Sequence, residues 1–87
     1  MSTLDIEQYK KALVNKTFKI LPLREESKDW QRYLEGLIVE ISGAQKLFDE
    51  NVDFIILLSK LQGLYEIEEL ALFRKVIFDS ITLINSL

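Results

Sequence analysis

The 87-residue sequence has no cysteine, no histidine, one proline and three glycines, and these shortages exclude whole classes of function. Without cysteine there is no disulfide framework, and without either missing residue the usual zinc sites cannot be built. No side chain titrates near neutrality unless its surroundings shift it. The lack of histidine also removes the ordinary base of serine and threonine nucleophiles, and the Glu-x-x-His element of di-metal carboxylate bundles. Gly36, Gly43 and Gly63 are scattered, so no glycine-rich loop cradles a phosphate. The adjacent carboxylates Glu25–Glu26 and Glu68–Glu69 would point in different directions from a helix and do not converge as an acid and a base. The expectation is a protein that is not an enzyme, with no catalytic residue, cofactor, metal or small-molecule substrate.

Long apolar runs are missing too. The longest, Phe54 to Leu58, has five residues, against the roughly 20 that a spanning helix needs, so no membrane insertion is expected. The opening Met1-Ser2-Thr3-Leu4-Asp5-Ile6-Glu7 has neither the basic start nor the apolar stretch of a secretory signal. With no cysteine, a reducing compartment fits, and the expected location is cytoplasmic.

What is abundant is apolar surface. Leu, Ile, Val and Phe supply 34 residues, too many for a chain that stays disordered. At this length one domain spanning residues 1–87 is expected, and it can bury only about 60 to 65 percent of its unfolded surface. More greasy side chains are present than one small protomer can hide, which points to a protein partner or to a second copy of the chain.

The spacing of those residues is helical. Ile6, Tyr9 and Leu13 make one face of a first helix, with Ser2, Thr3 and Asp5 as candidate caps, Gln8 completing a box with Asp5, and Lys16 at the favourable C-terminal end. Thr17 to Leu23 is β-branched and aromatic and meets Pro22, which predicts an extended apolar strap over residues 17–23 between the first and second helices. Ser27 is the expected N-cap of a second helix carrying Trp30, Tyr33, Leu34, Leu37, Ile38, Ile41 and Leu47 or Phe48, with Trp30 and Tyr33 as core anchors. Gly36 and Gly43 lie near one face, where a neighbouring helix could approach closely; alternatively Gly43 ends the helix as a C-cap. Asp49-Glu50-Asn51 is a polar break. Val52 to Leu64 is apolar nearly all round, so the third helix should be central, with Gly63 ending or bending it. The last helix starts behind Glu66, Glu68 and Glu69, buries Leu70, Phe73, Val76, Ile77, Ile81, Ile84 and Leu87, and leaves Leu72, Phe78 and Leu83 outside one narrow face. Short connections imply a small antiparallel four-helix bundle of the all-α class.

Charge is unevenly spread. Lys10, Lys11, Lys16, Lys19 and Arg24 face only Asp5 and Glu7, so residues 1–24 carry +3 within a chain of net charge −3. The simpler reading packs this basic segment beside the acidic remainder; the alternative is an anionic partner. An isoelectric point near 4.9 and the lack of a turn-plus-recognition-helix pattern disfavour nucleic acid, leaving a small DNA-binding regulator as an alternative.

The favoured function is a non-enzymatic protein–protein interaction module, either a homodimer or a small subunit or inhibitor of a larger protein, of the kind bacteria and phages encode as short genes. The residues expected to meet the partner are Ile55, Ile56, Leu72, Phe78 and Leu83, unless the strap covers them. In size and helix count the chain is similar to the four-helix bacteriocin immunity proteins of Gram-positive bacteria. That resemblance rests on no shared motif and implies a protective protein as a further alternative.

Overall fold

A computed structural model describes residues 3–48 and 51–87, apart from the side chains of residues 3–5. The described residues form no strand. They make α1 (Thr3–Phe18), α2 (Ile20–Glu25), α3 (Trp30–Gly43), α4 (Val52–Gly63) and α5 (Leu70–Ser86), with 3-10 turns at Gln45–Phe48 and Leu64–Glu66. The caps expected at Ser2, Thr3 and Asp5, and the break at Asp49 and Glu50, lie outside what is described.

The expected extended strap is helical. Leu13, Thr17, Ile20 and Leu21 are all buried, and they continue one helical stripe from α1 into α2. Pro22 explains why the chain is helical yet broken. At the third position of α2 its missing amide hydrogen belongs to a first turn whose amides have no intrahelical acceptor. In an unbroken helix its ring would clash with the carbonyl of Phe18, and α1 ends at that residue.

The end of α2 is a Schellman motif. Lys28 N–H donates to Leu23 C=O at 2.8 Å and Ser27 N–H to Arg24 C=O at 3.0 Å, with Ser27 in the left-handed region at φ 59°. Ser27 is therefore not the N-cap of the next helix. That role falls to Asp29, whose carboxylate accepts from Arg32 N–H at 3.2 Å. Asn51 caps α4 in the same way, accepting from Asp53 N–H at 2.9 Å.

The helices pack antiparallel. Phe18 meets Phe78 while Glu25 further along meets Arg74, so the α1–α2 stretch and α5 run oppositely. Likewise Phe48 stacks on Phe54 while Trp30 stacks on Tyr65, which sets α3 against α4. One core holds Leu13, Ile20, Leu34, Ile41, Phe54, Leu57, Leu61, Phe73, Ile77 and Ile84, each worth about 1.5 to 3 kcal/mol on burial.

The central helix is α5, which packs on α1, α2 and α4. The expectation that α4 is central does not hold, since Val52, Ile55 and Ile56 on its outer side are exposed. On α5 itself Leu70 is exposed and Leu83 is half-buried. No helix uses the glycines for close approach: a Cβ at Gly36 or Gly43 would meet nothing within 4 Å. Gly43 ends α3 without a positive φ, so it is not a left-handed cap either. Gly63 ends α4 as expected.

The accessible surface is 5628 Å². This is close to the roughly 5,300 Å² expected of a folded monomer of this mass, so the exposed apolar residues do not reflect an open core.

Ser27→Gly should stabilise the protein by about 1 kcal/mol, because glycine holds a left-handed cap without steric cost, whereas Ser27→Val should destabilise it. Thermal unfolding followed by circular dichroism checks both signs.

Candidate functional site

Two surface regions are built differently from the rest: the outer face of α4, and a groove where the end of α1 meets α3.

On α4 the inner residues Phe54, Leu57 and Leu61 are buried at helical spacing. The outer residues repeat that spacing. Val52, Ile55 and Ile56 stand at i, i+3 and i+4, and are 65%, 62% and 39% exposed. Asn51 caps the helix at the base of this face and so fixes its start. Val52 belongs to the patch although the sequence reading did not select it. Its spacing to Ile55 was the available signal, obscured because α4 is apolar on both sides.

The candidates on α5 divide between two flanks. Leu72 and Phe78 are each 47% exposed but are separated by about 120° around the helix axis. Phe78 faces α1, its ring centroid 6.2 Å from that of Phe18, which is itself exposed. Leu83 shares the Leu72 flank, and it is half-buried against the core. The five selected residues thus do not form one continuous surface; Ile55 and Ile56 are the pair held together.

The basic segment is also divided. Lys10 pairs with Glu7 at 3.4 Å. Arg24 turns inward, its guanidinium carbon 4.1 Å from the Phe73 ring centroid and 5.6 Å from that of Trp30. Its Nη2 donates to Glu68 C=O at 2.6 Å, while its buried Nη1 has no hydrogen-bond partner. Cation–π contact stands in for the missing bond. Trp30 is half-buried in this cluster, edge-on to Phe73 at 5.1 Å and stacked on Tyr65 at 6.0 Å, so it anchors the end of the bundle instead of its centre.

Lys16 and Lys19 remain at the surface, and there they meet Arg32 of α3. Together with Tyr33, Gly36, Leu37 and Glu40 they line an open groove of about 500 Å³. Tyr33, the other expected core anchor, is half-buried here, and its hydroxyl donates to Lys16 C=O at 2.9 Å, tying α1 to α3. Lys16 Nζ donates to Glu40 Oε1 at 2.6 Å. Arg32 was missed because it lies outside the basic segment in sequence and joins it only through packing.

Among the described residues no group of three or more acidic side chains converges as a metal site, and no helix is long and apolar enough to cross a membrane. Comparison with protein-family models, with curated proteins and with solved structures finds no match to the chain.

Titration has a definite direction. Burial raises the hydroxyl pKa values of Tyr9, Tyr33 and Tyr65, and the hydrogen bond to Glu40 raises that of Lys16. The folded state holds each of these protons more tightly than the unfolded chain does. Their contribution is therefore complete below the ordinary tyrosine and lysine values of 10.0 and 10.5, and is lost as pH rises through the elevated ones. Stability should fall above about pH 10, with the tyrosinate absorbance of the folded protein appearing later than that of free tyrosine.

Trp30→Ala should destabilise the fold by about 3 kcal/mol by emptying the space between Arg24, Phe73 and Tyr65. Denaturant unfolding measures this, and a loss below about 1 kcal/mol would show that the cluster does not close the bundle.

Proposed function

We propose that the chain is a non-enzymatic, cytoplasmic protein–protein interaction module that docks through the outer face of α4, with a second copy of itself as the first partner to test. The observation that carries this reading is the exposure of Val52, Ile55 and Ile56 on a helix whose opposite face is fully engaged. A solvated helix face usually carries charge. Here the exposed polar positions in line with the three branched aliphatics are the uncharged Ser59 and Gln62, with the charged Asp53 and Lys60 half-buried at the edge, an arrangement that favours water exclusion by a facing surface. Against α4 of a second copy, the same residues would meet their own kind across a two-fold axis, the simplest closed arrangement for a self-complementary patch.

The Phe18–Phe78 pair lies elsewhere, between α1 and α5, and Leu72 on the other flank of α5. The reading does not require either at the same interface. It places the energetic centre on two adjacent isoleucines, in keeping with the concentration of binding energy in few residues.

Sedimentation velocity over a concentration series should show weight-average mass rising with concentration. The double substitution Ile55→Glu, Ile56→Glu should remove that dependence while changing unfolding stability by no more than about 0.5 kcal/mol, as expected for exposed positions. A wild-type chain that stays monomeric at every concentration and does not bind an apolar dye would defeat the proposal. Unfolding of the double variant would instead show that these residues belong to the core.

A further inference from the structure

We infer that the groove between the end of α1 and α3 is a binding site for a short acidic peptide segment, a site separate from the α4 face and independent of it. Three cations line it, Lys16, Lys19 and Arg32, against the single carboxylate of Glu40. This is a local excess of positive charge on a chain whose net charge is −3. The remaining lining is Gly36, Leu37 and Tyr33, so the charged rim encloses an apolar floor.

Gly36 sets the shape of that floor. Gly36 is exposed and a Cβ there would meet nothing within 4 Å, so α3 is open to solvent at this point and a ligand can lie close against its backbone. Glycine in the interior of a helix is otherwise disfavoured. The opening suits an apolar side chain of a ligand lying across α3, with carboxylates on either side reaching Lys19 and Arg32. The Arg32 guanidinium offers a fork of donors that a carboxylate can accept in pairs.

Glu40 selects the kind of anion. Its carboxylate lies within the groove, bonded to Lys16 at 2.6 Å, with both side chains about two-fifths exposed. An exposed pair of this kind is weak and readily exchanged, so an incoming carboxylate can take Lys16 from Glu40. An unbroken phosphate backbone would have to run past that carboxylate, whereas a peptide can place an uncharged residue beside it. The groove also lies open along the surface, as suits a linear segment more than an enclosed small molecule.

The test is fluorescence anisotropy with the full chain and a fluorescein-labelled peptide in which glutamates alternate with leucine and glycine. The controls are the same peptide with lysines in place of glutamates, and a single-stranded oligonucleotide of equal charge. Saturable binding of the acidic peptide is expected, weakened about tenfold by Lys19→Ala or Arg32→Ala and tightened about threefold by Glu40→Gln. Gly36→Leu should abolish binding while raising the melting temperature, a pair of opposite effects that misfolding cannot produce. Lys75→Ala on α5 should change nothing. Repeating the assay in the Ile55→Glu, Ile56→Glu chain should give the same affinity, which separates this site from the fate of the α4 proposal. Absence of saturable binding, equal or tighter binding of the oligonucleotide, or an equal loss in Lys75→Ala would each overturn the assignment.

Discussion

Pro22 has no amide hydrogen, and the core along α1 and α2, the closed end of the bundle and the basic groove all depend on where that places the break between the two helices. Because the break falls immediately after Phe18, Ile20 and Leu21 stay in register with Leu13 and Thr17, and the core continues across it. Because α2 is only one and a half turns long, it delivers Arg24 to Phe73, Trp30 and Glu68, and Glu25 to Arg74, at the end of the bundle. The same break leaves Lys16 and Lys19 pointing outward beside α3, where Arg32 joins them. The helical stretch thus contributes core, closure and charged rim in succession.

The arrangement leaves some polar atoms unsatisfied. Thr17 is fully buried and its hydroxyl has no hydrogen-bond partner, as is true of Arg24 Nη1. Both lie on the α1–α2 stretch. A buried unpaired hydroxyl typically costs about 1 to 3 kcal/mol, so this segment is held by apolar packing and by cation–π contact against a polar penalty. Among the described residues the ion pairs Lys16–Glu40 at 2.6 Å and Arg74–Glu25 at 2.9 Å are exposed and shape surface charge more than stability, whereas Lys10, paired with Glu7 at 3.4 Å, is largely covered.

The α4 face and the basic groove exemplify opposite kinds of surface. The first is apolar with a polar edge and was visible as an excess of aliphatic residues. The second is charged with an apolar floor, assembled from residues as far apart as Lys16 and Glu40.

The residue spacing determined the all-α class, most of the inner stripes of α3 and α5 and the end of α4 at Gly63, and the short connections implied antiparallel packing, because helical periodicity, helix-stop residues and loop length are local properties. It misjudged residues 17–23, where β-branched composition and a proline suggested extension, although Thr17, Ile20 and Leu21 already stood at helical spacing. Local propensity and burial disagreed there, and burial won. Only the tertiary structure decided that α5, not α4, is central, that Leu72 and Phe78 face different flanks, that Arg24 turns inward and that Arg32 completes a basic groove. Those outcomes depend on which helix lies beside which, and packing between distant segments fixes that where spacing within one segment cannot.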